Sequence, residues 1–257
     1  RRSARVAEVV VEHGRAVGVR LEGGTDSSTA VVLRATEAVV SNADLRQTFD
    51  LVPRGAHAGF DAERRAALET RETRLPLCKS FMHVHLGVPA AAIPDDAPPQ
   101  WTVCSSWDDG VDAPGNVVVV SVPSKLDASM APPGHHVIHA YCAGNEPYDE
   151  VWGRFDGETP QALRTNPDYL ALKEERARPI FDAIARRAPE ARRSAVVEQI
   201  ASPLTHARFL RRHKGNYGLA IRIGNDDGLE FPPVTTPLPG YFRCGDSTAA
   251  GIGVPAV

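Results

Sequence analysis

YFRCGDSTAAGIGVPAV, residues 241–257, passes from a strand-like triplet through a Cys-Gly-Asp-Ser-Thr turn into small residues that open a helix. A helix start leaves backbone N–H groups unpaired and carries the positive end of the helix dipole, so it favours a phosphate or a developing anion. Gly251 and Gly253 would let a flat ligand approach the backbone closely, and Asp246 offers a carboxylate to sugar hydroxyls. The same residues would also serve a plain structural purpose, packing a helix on a strand. The tail taken alone leaves both readings open.

Working outward, RVAEVVVEHGRAVGVRLEGG (residues 5–24) is rich in β-branched residues on both sides of His13-Gly14 and predicts a hairpin. Val39–Ser41 predicts a short buried strand leading to a helix capped by Asn42 or Asp44, and the charged, Ala-rich residues 60–73 predict another helix. The middle of the chain differs in kind. KSFMHVHLGV, QWTVCSSW, NVVVVSVPS and HHVIHAYCAG are four strand-like runs joined by Pro, Gly and Asp clusters, a pattern of antiparallel pairing rather than βαβ units. Residues 166–187 predict a long amphipathic helix with Tyr169, Leu170, Leu172, Ile180, Phe181 and Ile184 inward. SAVVEQIAS predicts one more strand. SPLTHARFLRRHKGNYG predicts a helix with Ser202 as N-cap, Pro203 in its first turn and Gly215 at its end.

The 257 residues carry 42% hydrophobic and 24% charged residues, enough for one large or two smaller packed domains. A net charge of −3 with dispersed arginines gives no basic stripe for nucleic acid. The four cysteines are widely spaced, without a CxxC pair, and read as reduced thiols in an intracellular compartment. No run of 18 apolar residues exists to span a membrane. The chain opens without Met in mid-pattern, and the reading expects a fragment of a longer protein.

Other candidate groups have two readings each. His83 and His85 alternate along one strand and point the same way, and a second pair based on His136 is conceivable as part of a metal site; the sequence favours sheet-face histidines beside a substrate, with no metal. Arg208, Arg211, Arg212, His213 and Lys214 form either a solvated helix face or a peripheral contact with an anionic membrane. Tyr217 either stacks near a ligand or anchors its turn. Ser247 is set aside as a hydrolase nucleophile because no Gly-x-Ser-x-Gly elbow surrounds it.

Taken in order, RVAEVVVEHGRAVGVRLEGG, AVVSNAD, SPLTHARFLRRHKGNYG and PLPGYFRCGDSTAAGIGVPAV resemble the FAD-dependent phytoene desaturase and carotenoid cis-trans isomerase family, within the amine oxidase-like flavoproteins. The Thr205–Leu210 segment and the GNYG turn are closest to the isomerase branch. Asn216 stands where the family usually has Thr, and Ala250 where it often has Pro. The resemblance implies FAD as cofactor. It lays the strand at Val6 against the adenine, sets Gly245 and Asp246 at the pyrophosphate and ribityl side, and puts Gly253, Val254 and Pro255 under the flavin N1 and O2 edge, with Gly251 beside them. The family's G-x-G-x-x-G turn is expected upstream of residue 1.

The resulting expectation is an α/β protein: a partial Rossmann-like FAD domain (residues 1–75 and 203–257) around an inserted substrate domain (residues 76–202) with an antiparallel or mixed sheet. Val6 and Phe242 are expected together in a sheet separate from the substrate sheet, which should roof an apolar tunnel for a polyene. The family implies dehydrogenation or redox-neutral isomerisation, and no catalytic side chain stands out. A flavin amine oxidase, a retinol saturase-like oxidoreductase and a non-catalytic carotenoid or lipid binder are the rivals. Location follows the organism: the plastid in a photosynthetic eukaryote, otherwise the cytoplasm or a membrane surface.

Overall fold

A computed structural model describes residues 4–22, 31–53, 75–220, 231–246 and 248. The helix expected over 60–73 and the helix start at Gly251, Gly253, Val254 and Pro255 lie outside the described residues, as does Ser247. The chain divides into two compact units, Arg1–Cys78 with Tyr217–Val257, and Lys79–Asn216.

In the first unit β1 (Val6–Glu12) and β2 (Arg15–Leu21) form the expected antiparallel hairpin. His13 (φ 47°) and Gly14 (φ 76°) both take the left-handed region, the turn whose twist matches that of paired strands. β3 (Val32–Arg34) adds to β2, giving a three-stranded sheet in the order β1-β2-β3. β4 (Val39–Ser41) instead pairs in parallel with β10 (Tyr241–Arg243), Val39 facing Tyr241 and Ser41 facing Arg243. Val6 and Phe242 therefore sit in two different sheets rather than one, because the hairpin recruits β3 locally and β10 is taken by β4. Among the described residues this pair is the parallel element, and it falls short of a Rossmann sheet. Asp44 caps α1 (Leu45–Asp50), accepting from the Arg46 N–H at 3.1 Å. Val9, Ala16, Val52, Leu238 and Tyr241 make one small core, and Leu45, Phe49, Leu75 and Leu219 another.

The second unit holds a five-stranded sheet in the order β6-β7-β8-β5-β9. Its strands are β5 (Ser80–Pro89), β6 (Gln100–Cys104), β7 (Val117–Ser121), β8 (His135–Gly144) and β9 (Val197–Ala201). Every pairing is antiparallel, as short turn-rich connections require. Alternation along the strands sorts the side chains by face. Met82, Val84, Leu86 and Val88 of β5 share one face with Ile138, Ala140 and Cys142 of β8 and Val118 and Val120 of β7, all buried.

The helix α2 (Pro167–Ala185) is capped by Asn166 and contributes Tyr169, Leu172, Ala177, Ile180, Phe181 and Ile184 to the same core. Full burial of each large apolar side chain contributes about 1.5–3 kcal/mol. Leu170, expected inside, is 44% exposed because it lies off the stripe set by residues 169, 172, 177, 180 and 184. Ser202 precedes α3 (Pro203–Phe209), which ends at Phe209 rather than Gly215; Arg211 (φ 55°) takes a left-handed conformation just after it, and Lys214 (φ 51°) does so within a final turn at His213–Gly215. This segment, grouped by sequence with the first unit, belongs to the second, where Leu204 is fully buried in the sheet's core.

Candidate functional site

In the first unit the carboxyl ends of the parallel pair β4 and β10 deliver Asn42 and the Gly245-Asp246 turn to one place. The Cys244 N–H donates to the Ser41 carbonyl at 2.9 Å, so the two exits stay side by side. Gly245 has φ 95°, and a Cβ there would collide with Asn42 Oδ1. Gly218 (φ 96°) lies equally close to Asp246: a Cβ at Gly218 would come 2.8 Å from the Asp246 carbonyl. Beneath the turn, the Tyr241 hydroxyl donates to the Thr48 carbonyl at 2.8 Å, and Ser41 Oγ and Thr48 Oγ1 share a hydrogen bond of 2.9 Å. In open α/β sheets ligands bind beyond the carboxyl ends of parallel strands, where backbone groups are left unpaired. Of the residues expected around the cofactor, Gly245 and Asp246 come together here, whereas Val6 lies half-buried on the three-stranded sheet, paired with Leu21.

The second unit carries a denser constellation, on the sheet face opposite α2. Register puts His85 directly across from His139 and His83 across from Tyr141. The imidazole rings stack nearly parallel: His85 and His139 have centroids 4.6 Å apart, His83 and His139 5.2 Å. His83 Nδ1 and His139 Nε2 share a hydrogen bond of 2.9 Å. His206 of α3 packs edge-on against His83 at 5.0 Å, and Phe81 and Tyr141 complete the aromatic row. Burial, followed by the nearby His206, His139 and His85, holds the His83 pKa down to about 3. Burial lowers those of His85, His139 and His206 as well, so these rings are neutral at neutral pH.

His83 and His85 do project to one face, as their spacing predicts. The histidine that joins them is His139, which sequence reasoning missed; His136 points to the other side and bonds Ser124 Oγ through Nδ1 at 2.8 Å. A cavity of about 710 Å³ opens on the histidine face. Its walls include His85 and His139 with Gly87, Met130, Val137 and Val197, and they are predominantly apolar.

Of the basic cluster, Lys214 pairs with Asp149. Tyr217 anchors its turn through the backbone, its N–H donating to the Cys78 carbonyl at 3.0 Å. All four cysteines are free; burial pushes the Cys142 thiol up to about 12, while Cys244 is exposed. Among the described residues no helix is long and apolar enough to cross a membrane.

The mixed α/β architecture has a counterpart among enzymes of known structure. An oxidoreductase from Methanosarcina mazei matches over 99% of this chain and 46% of its own, with a TM-score of 0.53 and 16% identity. Along the sequence, the chain is similar to the chloroplastic prolycopene isomerase of Arabidopsis thaliana, 30% identical over 255 residues, which is 99% of this chain and 39% of that protein. It is also 27% identical over 276 residues to the mouse pyridine nucleotide-disulfide oxidoreductase domain-containing protein 2, covering 97% of this chain and 43% of that protein. No protein-family model matches the chain. The resemblance carried by the motifs thus extends over the whole chain, which is a sequence relative of prolycopene isomerase and spans about two fifths of its length.

Proposed function

We propose that the full-length protein is an FAD-dependent enzyme that acts on a carotenoid-like polyene, with cis-trans isomerisation favoured over desaturation. The observation that carries this reading is the apolar cavity on the histidine face of the five-stranded sheet, roomy at about 710 Å³ and walled by Gly87, Met130, Val137 and Val197. Such a surface suits a flat hydrocarbon, which gains from desolvation and asks for few polar partners. The name of the Arabidopsis relative supports the polyene and the isomerisation, and that of the mouse relative supports an oxidoreductase.

For the cofactor, the described residues fit. Gly245 keeps the end of β10 free of a side chain at the carboxyl edge of the parallel pair, and Asp246 presents a carboxylate there. These two would hold the cofactor's pyrophosphate and ribityl side, with Gly251, Gly253, Val254 and Pro255 continuing the contact and Val6 meeting the adenine. FAD, when bound, supplies reversible electron transfer, the chemistry that side chains lack. The chain's own contribution is to orient the polyene and exclude water. In a photosynthetic eukaryote the same reading puts the protein in the plastid, the location that the Arabidopsis relative's name gives for that protein.

The test is purified full-length protein, loaded with FAD, incubated with a poly-cis carotenoid under anaerobic reducing conditions and analysed by chromatography and mass spectrometry. Isomerised product of unchanged mass is expected. Product formed only with an external electron acceptor, and lighter by two hydrogens, would make the enzyme a desaturase; absence of flavin binding would overturn the cofactor assignment.

A further inference from the structure

We propose that His83, His85 and His139 bind a divalent transition-metal ion of the zinc type on the open face of the five-stranded sheet. One ring nitrogen from each of the three lies within 4.8 Å of the other two. Nitrogens on a single tetrahedral ion stand about 3.4 Å apart, given bonds of about 2.0–2.1 Å. His83 Nδ1 and His139 Nε2, at 2.9 Å, are already that close. The third ligand comes from His85, an exposed ring on β5 directly across from His139.

All three residues stand on adjacent paired strands, where a sheet holds backbone positions more firmly than a loop does. Imidazole nitrogen is a ligand that suits zinc, copper and nickel. The hydrogen bond between His83 and His139 is given up, the bridging proton moves to the other nitrogen of the ring that held it, and both lone pairs turn to the ion.

Three protein ligands leave a fourth position for water or a small anion, the open arrangement that distinguishes reactive zinc sites from closed structural ones. No carboxylate belongs to the group, so the ion keeps its full charge and favours an anionic fourth ligand. His85 and His139 also wall the apolar cavity, so whatever occupies that position borders the cavity as well. The edge-on packing of His206 against His83 holds the least exposed of the three rings in its orientation.

The experiment uses tag-free full-length protein, stripped with chelator and titrated with Co²⁺ by visible absorption and with Zn²⁺ by calorimetry. One ion per chain is expected, with the strong visible bands of tetrahedral Co²⁺. His85→Ala and His139→Ala should each weaken binding by more than the roughly 10–100-fold that loss of an outer-shell partner costs. His135→Ala, at the cavity rim but outside the cluster, should leave it unchanged. His83 is buried, so the two more accessible positions carry the test, with circular dichroism and flavin content confirming that both variants fold. Absence of stoichiometric binding would overturn the site, and so would binding that survives His85→Ala and His139→Ala together.

Discussion

Asn42 and Gly245 meet where two parallel strands end, and that contact makes the glycine irreplaceable. At φ 95° an L side chain is strained whatever its size, and here its first carbon would run into the Asn42 amide oxygen. Strain of this kind costs about 1–3 kcal/mol. Gly245→Ala is therefore expected to lower the melting temperature of the full-length protein and to cut its flavin content after FAD loading, read from absorbance of the purified protein. Wild-type values of both would mean that the turn neither carries strain nor lies beside the cofactor. Gly218 repeats the arrangement against Asp246, whose backbone carbonyl a Cβ there would approach to 2.8 Å. The need for glycine at both positions is visible only once Asn42 and Asp246 have been brought up against them.

Among the elements, the junction of α2, β9 and α3 turns on one hydroxyl. Ser202 is fully buried; its N–H donates to Thr205 Oγ1 at 3.0 Å, the reciprocal half of a capping box, and its Oγ lies 3.1 Å from the Tyr169 hydroxyl. Ser202→Ala should destabilise the second unit by about 1–3 kcal/mol in urea unfolding, because the buried Tyr169 hydroxyl loses its partner. Tyr169→Phe combined with Ser202→Ala should recover part of that loss, since no stranded hydroxyl remains; strict additivity would show the pair to be uncoupled. The cap and the proline after it are legible in Ser-Pro-Leu-Thr, as the hairpin is in His13-Gly14, because both rest on local backbone chemistry. The early end of α3 is not, since a non-glycine residue, Arg211, takes positive φ just after it. Nor is the third histidine. His139 lies 54 residues from His85, and only the register of β5 against β8 brings them face to face, a pairing that no short window of sequence encodes.

Over the whole molecule, each of the two units has its own core and its own candidate site. Gly87 offers the sharpest test, because it lies in a regular strand with ordinary φ and walls the cavity on the histidine face. A Cβ added there meets Val197 Cβ at 3.4 Å, an ordinary contact, so Gly87→Leu fills cavity space without breaking the sheet. If the polyene binds in this cavity, Gly87→Leu should lower kcat/KM by about 10-fold or more, as steric mismatch in apolar pockets does, while flavin content and melting temperature stay near wild type. Gly245→Ala gives the opposite pattern, with flavin lost and the cavity untouched. The contrast matters because a single inactive variant cannot tell a lost cofactor from a lost substrate. Unchanged turnover in Gly87→Leu, with the protein folded and flavin-loaded, would remove the cavity from the reaction and send the polyene to another surface.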